Sequence, residues 1–318
     1  MMAPTSNKVI TFASRFLNIK NGILGLQSQS WRIPLITLVE SVFGTHHSIV
    51  VNQINKLALI YLEEEKYKRA EPLLKRILKS QEKSLNPKHP ALAQTMNSLA
   101  DVYQNTSQFE KAERLYLKTL KIRANVLGAN HPEVATTLNN LGLLYKSYGN
   151  ITQAEALYLR SKNISEKALG KNHPNVARTL NNLAKLYYDM GEFDKSEPLF
   201  VRALQISEKY HGTYHPNVAR ALNNLAIVHI AKERYFNAEP LYRRALEINK
   251  VMLGSDHPAV AKTLTNLAEL YRNMGQFKKA EPLTKIALKI YNKAMKEETD
   301  FAKTQTYIPL DIREKAAS

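Results

Sequence analysis

The chain has no cysteine. Disulfides, zinc–thiolate sites and thiol nucleophiles are therefore excluded, and a reducing compartment is compatible with the composition. Glycine and proline are scarce, at 11 and 13 in 318 residues, which leaves few turns and favours long helices over a many-stranded sheet. No run of 18 apolar residues occurs, so no segment reads as a membrane-spanning helix. Phosphate loops, nucleophile elbows, metal-ligand spacings and cofactor fingerprints are all missing. The expectation is a non-enzymatic chain with no metal and no cofactor, an enzyme subunit being the weaker alternative. Acidic residues are in deficit, 28 Asp and Glu against 45 Lys and Arg, for a formal charge of +17. Such a surplus favours acidic partners, whether peptide, nucleic acid or an anionic surface.

What is abundant is repetition. A His-Pro pair stands at His89-Pro90, His131-Pro132, His173-Pro174, His215-Pro216 and His257-Pro258, 42 residues apart each time. One further step back lands on His47, where Ser48 replaces the proline. Six units are expected within 46–298, at about 47–88, 89–130, 131–172, 173–214, 215–256 and 257–298, and a constant period of this size is the signature of a helical solenoid. In the fourth unit Val176, Leu180, Leu183, Ala184 and Tyr187 follow a helical spacing, and after a break so do Phe193, Leu199, Phe200, Ala203, Leu204 and Ile206. Each unit is thus predicted to be a helix pair. The first helix opens at the proline and closes before glycine at Gly149, Gly191 and Gly275.

The small-large pattern of Leu183, Ala184, Tyr187, Ser196, Phe200 and Ala203 resembles the tetratricopeptide repeat, although that repeat usually spans about 34 residues. The longer form HPNVARTLNNLAKLYYDMGEFDKSEPL, with its recurring LNNLA and AEPL segments, is similar to the repeat domain of kinesin light chains and of related bacterial and nephrocystin-type proteins. The resemblance implies an all-α, right-handed superhelix of six helix pairs. It also implies a protein–protein interaction scaffold, in which groove asparagines and basic residues hold a short acidic peptide bearing an aromatic residue. A kinesin light chain proper carries a long heptad coiled coil ahead of its repeats, and this chain has no such heptads there. Only the binding domain carries over.

The repeated polar residues divide into architecture and candidate site. Each histidine precedes a proline, which pushes it out of helical conformation and into a capping position. The glutamates Glu71, Glu113, Glu155, Glu197, Glu239 and Glu281 lie early in the second helix, where the helix dipole favours them. The asparagines fall opposite the apolar stripe of the first helix. One series runs Asn55, Asn97, Asn139, Asn181, Asn223 and breaks at Thr265; the next position gives Asn140, Asn182, Asn224 and Asn266. Their amides suit an extended peptide backbone, or else bond to the neighbouring helix as a polar ladder. Arg178, Arg220 and Lys262 stand three residues before the asparagine position in the later units, with Lys185 on the same side, so the groove becomes basic toward its C-terminal half.

The candidate peptide-binding set is therefore Asn97, Asn139, Asn140, Arg178, Asn181, Asn182, Lys185, Arg220, Asn223, Asn224, Lys262 and Asn266. Counted over all groove positions, seven basic residues are interrupted by the four acidic ones Glu63, Asp101, Asp189 and Glu269. A phosphate-tracking surface needs an uninterrupted basic track with aromatics beside it. Nucleic acid is accordingly the less favoured partner, an outer-face association remaining the alternative.

The ends lie outside the repeats. In residues 1–45 the stretch KVITFASRFLNIK is basic and amphipathic, with Val9, Ile10, Ala13, Phe16 and Leu17 on one face. It reads as a cap or extension, with an organelle-targeting or membrane-surface segment as alternatives. The expected location is the cytoplasm, or an organelle if that segment targets one. Residues 299–318 form a tail that folds over the last pair or reaches into the groove. The sequence does not fix an oligomeric state.

Overall fold

In the computed structural model of the protein, residues 48–306 are described, with side chains over 50–296. They form twelve α-helices and no strand. The pairs are α1 (Ser48–Glu63) with α2 (Tyr67–Ser84), α3 (Pro90–Asn105) with α4 (Phe109–Leu127), α5 (Pro132–Ser147) with α6 (Ile151–Leu169), α7 (Pro174–Asp189) with α8 (Phe193–His211), α9 (Pro216–Ala231) with α10 (Tyr235–Leu253), and α11 (Pro258–Asn273) with α12 (Phe277–Thr306). This is the all-α solenoid of six helix pairs that the period predicts. The first two pairs belong to one compact unit ending at Gly128, and the last four to a second beginning at Ala129. The expected N-terminal cap or targeting segment, and the tail from residue 307, lie outside the described residues.

The boundaries follow from local chemistry. His89, His131, His173, His215 and His257 sit in extended backbone, and the Nδ1 of each accepts the backbone N–H two residues on, at 3.1, 3.2, 3.1, 3.1 and 3.1 Å. Each imidazole thereby satisfies a donor that the start of a helix leaves free. At the other end Gly149, Gly191 and Gly275 take φ of +76, +76 and +71°, a left-handed conformation that closes the first helix. The equivalent positions Glu65, Ser107 and Glu233 adopt φ of +57, +60 and +57° without being glycine, and so carry strain that the other pairs avoid.

Packing explains the alternation of small and large residues. In the second unit, Tyr158 of α6 is fully buried against Leu183, Leu186 and Tyr187 of the following α7. Phe200 of α8 clusters with Ala184, Leu225 and Val228, and Tyr242 of α10 with Leu267, Leu270 and Tyr271. One aromatic per pair thus enters the next pair, each contributing about 2–3 kcal/mol by area. Gly142 is the extreme small residue: a Cβ there would stand 2.9 Å from the Tyr158 ring.

The recurring glutamates do more than meet the helix dipole. Glu155 accepts the Tyr187 hydroxyl at 2.5 Å and Glu239 the Tyr271 hydroxyl at 2.8 Å, each from the next pair. Glu197 instead receives Lys232 at 2.7 Å and Arg234 at 3.3 Å. These carboxylates are ties between successive pairs. The second helices α4, α6, α8 and α10 each have 19 residues, whereas α12 has 30 and continues past the expected end of the sixth unit at 298 to Thr306.

Candidate functional site

Within the second unit the first helices α5, α7, α9 and α11 approach one another in succession. They form one layer, and the face opposite their apolar stripe, the inner face of the superhelix that the resemblance implies, carries the candidate residues. Several of the asparagines on it are bonded to one another. The Asn182 amide donates to Asn139 Oδ1 at 3.0 Å and the Asn224 amide to Asn181 Oδ1 at 3.3 Å, one pair to the preceding pair in both cases. The Asn181 amide donates to its own helix at Ala177 O, and the Asn223 amide to Thr263 Oγ1 of the next pair at 3.1 Å. Arg178 reaches back to Thr136 Oγ1 at 3.2 Å. The Asn139 amide meets Asn140 Oδ1 at 3.5 Å.

This is the polar ladder that the sequence left open beside the peptide-binding reading. A helix tolerates such mediocre helix formers where their amides replace water with a partner on a neighbouring helix, as those of Asn182, Asn223 and Asn224 do. Asn139, 2% exposed, lies beneath the surface of the inner face. In the first unit Asn97 is also buried, and its amide donates to Asp101 Oδ2 at 3.1 Å, while Asp101 also receives the Tyr116 hydroxyl. Asn140, Asn181, Asn182, Asn223, Asn224 and Asn266 are half-buried.

The cations behave differently. Lys185, Arg220 and Lys262 are exposed and make no hydrogen bond or ion pair among the described residues. They nevertheless gather: the Lys185 ammonium is held below the ordinary lysine value first by desolvation, then by the positive charges of Lys146 and Lys262, with Asp189 opposing and Arg220 adding to the effect. Lys146 pairs with Asp189 at 2.5 Å. Four cations of α5, α7, α9 and α11 thus share one field, and one of them has a fixed carboxylate. Like charges brought together on a water-lined face raise the local concentration of anions. Asp189 opposes this field and, with Glu269, also raises the pKa of the Tyr188 hydroxyl after burial has done so.

Sequence reasoning counted Asp189 among the groove positions but missed its pairing with Lys146, and it missed Thr136 and Thr263 as partners. Spacing on one helix gives no register between two helices. Among the described residues no group of three or more His, Asp or Glu side chains is arranged to hold a metal ion. No helix of the described residues is long and apolar enough to cross a membrane.

The tetratricopeptide repeat family matches residues 50–123, 95–161, 148–204, 178–250 and 218–293. Among curated proteins none matches the chain. Among solved structures the chain is similar to BtubC (BKLC) from P. vanneervenii, with 26% identity, 77% of this chain and 92% of that one covered, and a TM-score of 0.58. It is also similar to the nearly identical repeats of a putative kinesin light chain from Podosopora anserina, with 25% identity, 65% and 98% coverage and a TM-score of 0.55. The sensor-bearing signal transduction ATPase from Pyrococcus horikoshii, at 19% identity, 84% and 40% coverage and a TM-score of 0.56, shares the fold. With matches running through all six helix pairs, the chain belongs to the tetratricopeptide repeat family, and its repeats are of the kinesin-light-chain-like kind.

Proposed function

We propose that this interaction scaffold binds an extended acidic segment of a partner protein on the inner face of α5, α7, α9 and α11. The observation that carries the reading is the convergence of Lys146, Lys185, Arg220 and Lys262, whose positive charges act together on the Lys185 ammonium while Asp189 opposes them. Bringing cations together costs folding free energy, and a polyanionic ligand offsets that cost. Asn182 and Asn224 fix the spacing of the helices under this field through the ladder, while Asn266, which has no hydrogen bond among the described residues, offers both a donor and an acceptor to a peptide backbone. The role is non-enzymatic and placed in the cytoplasm. Binding positions the partner, and no bond of it is changed.

The test is a titration of a fluorescein-labelled peptide of Asp and Glu residues with one aromatic against the full chain and its Asn181→Ala, Arg220→Glu variant. Arg220→Glu removes one attraction and adds one repulsion, so affinity should fall about tenfold. Unchanged affinity would remove the inner face from consideration. Tighter, sequence-independent binding of a polynucleotide that falls steeply with salt would replace the peptide by nucleic acid.

A further inference from the structure

Five histidines cap first helices, and the link that leads into one of them is built differently. The second helices α4, α6 and α10 end in Leu127, Leu169 and Leu253 with glycine next, whereas α8 ends in His211 ahead of Gly212. The residue before the capping histidine is Asn130, Asn172 or Asp256 in those links and Tyr214 in this one. His211 therefore stands four residues before His215. Their rings are stacked, with centroids 4.1 Å apart and planes 12° apart.

The stack takes the place of a backbone bond. The N–H groups of His173 and His257 donate to Gly170 O and Gly254 O at 3.3 Å, which closes the turn before the helix. His215 makes no such bond among the described residues, and its φ is −148°, against −66 to −78° in the other four caps. One residue, Asn217, ties both rings to the start of α9. Its backbone N–H donates to His215 Nδ1 at 3.1 Å, and its side-chain amide nitrogen lies 3.2 Å from His211 Nε2. An amide NH2 only donates, so both ring nitrogens are acceptors and both imidazoles neutral. A proton on either ring turns an acceptor into a donor that faces a donor. The side-chain amide can turn over and present its oxygen, but the backbone N–H cannot, so a proton at His215 Nδ1 breaks the cap. Two stacked cations also repel at this distance.

The surroundings do not welcome the charge. On α8 the Tyr210 ring meets His211 edge-on at 4.9 Å, and the exposed Lys209 lies two residues back. His173, at the start of α7, is 6.2 Å from Tyr210. The carboxylates Glu208 of α8 and Glu247 of α10 are taken, by Arg244 at 2.7 Å and by the Tyr214 hydroxyl at 2.6 Å. Burial first, then the positive charges of His215 and of Arg220 on α9, hold His211 below the ordinary histidine value. The closed junction thus binds a proton less readily than an open one. It is favoured above about pH 6.5 and loses ground as pH falls through that value toward the folded one.

We propose that His211 and His215 form a pH-operated latch between α8 and α9, closed while both rings are neutral and opened by their protonation in mildly acidic solution. The chain carries its own control, because His173 caps α7 in the same way after Leu169, with no second imidazole. Hydrogen exchange of the full chain is followed at about pH 7.5 and about pH 5.5, on either side of the ordinary histidine value, each amide being referred to its intrinsic rate. The amides compared are those of residues 217–219, bonded to His215, and of 175–177, bonded to His173. A tenfold difference in proton affinity between the open and closed states allows up to about a tenfold change in opening. Protection at 217–219 should accordingly fall about tenfold relative to 175–177 on acidification. In His211→Leu, which installs the residue of the other links, that difference should vanish. Equal responses of the two segments in the unsubstituted chain overturn the latch, and so does a difference that survives His211→Leu. The first comparison needs no substitution, so the outcome does not depend on how the variant folds.

Discussion

Two tyrosines at equivalent places in the repeat should respond oppositely to loss of the hydroxyl. Tyr158 is fully buried, and its hydroxyl has no hydrogen-bond partner among the described residues. Burial, and then the charge of Asp189, hold that hydroxyl well above its ordinary pKa, so it stays a neutral donor facing an acceptor-poor environment. Tyr116, just as buried, donates to Asp101 and lies 3.0 Å from Gln104 Oε1. A buried unpaired hydroxyl costs about 1–3 kcal/mol, whereas a hydrogen bond to a charged group contributes about 1.5–3 kcal/mol. Tyr158→Phe should therefore stabilise the fold by about 1 kcal/mol, and Tyr116→Phe should destabilise it by about 2 kcal/mol. The next pair supplies the control, since Phe200 occupies this position at 2% exposure. In a urea titration followed by far-ultraviolet circular dichroism, the midpoints should move in opposite directions. A loss in Tyr158→Phe equal to that in Tyr116→Phe would mean that the Tyr158 hydroxyl is satisfied, and the packing argument would fail.

Other consequences follow from the caps, the turns and the charges. Replacing His173 by alanine removes the Nδ1 acceptor of the Asn175 N–H and should cost about 1 kcal/mol, read as a lower melting temperature. Glu233→Gly relieves a left-handed non-glycine residue and should stabilise by up to about 1 kcal/mol, whereas Gly191→Ala should destabilise by a similar amount. Glu197 is held below the ordinary carboxylate value first by its hydrogen bond from Lys232. Its contribution is therefore present at neutral pH and lost as pH falls through its folded value, and Glu197→Gln should flatten the acid limb of a stability–pH curve. Binding an anion beside Lys185 restores a depressed ammonium, so acidic-peptide binding should take up protons and weaken as pH rises through the lysine range. Calorimetry in buffers of different ionisation enthalpy measures that uptake.

The fold was legible because the 42-residue period repeats the helix signals, His-Pro at the start of five units and glycine at the turn of three. Where a unit departs from the pattern, sterics of the backbone rather than pattern decide: Glu65, Ser107 and Glu233 accept a strained φ so that the turn keeps its shape. The inner face was legible as a set of positions and only partly as chemistry. A helical wheel puts Asn181 and Asn182 on the right side, yet the bonds Asn182 to Asn139 and Asn224 to Asn181 depend on the register between helices 43 residues apart in sequence. The glutamates show the same limit. Their position in the helix suggested a dipole effect, and their partners Tyr187, Tyr271 and Lys232 lie on the following pair. The stretch HPNVARTLNNLA thus presents fewer free groups than its periodicity suggests: Arg178, Asn181 and Asn182 each bond to a neighbouring helix, and Lys185 just beyond them has no ion pair or hydrogen bond from its ammonium among the described residues.

The measurement closest to the central claim is photo-crosslinking of the acidic peptide, with a photoreactive aromatic as its single ring, to the full chain, followed by mass spectrometric mapping of the adducts. The account predicts adducts on the inner-face residues of α7, α9 and α11 around Lys185, Arg220 and Lys262, and their loss on Arg220→Glu. Adducts confined to the second helices α6, α8 and α10 would contradict it.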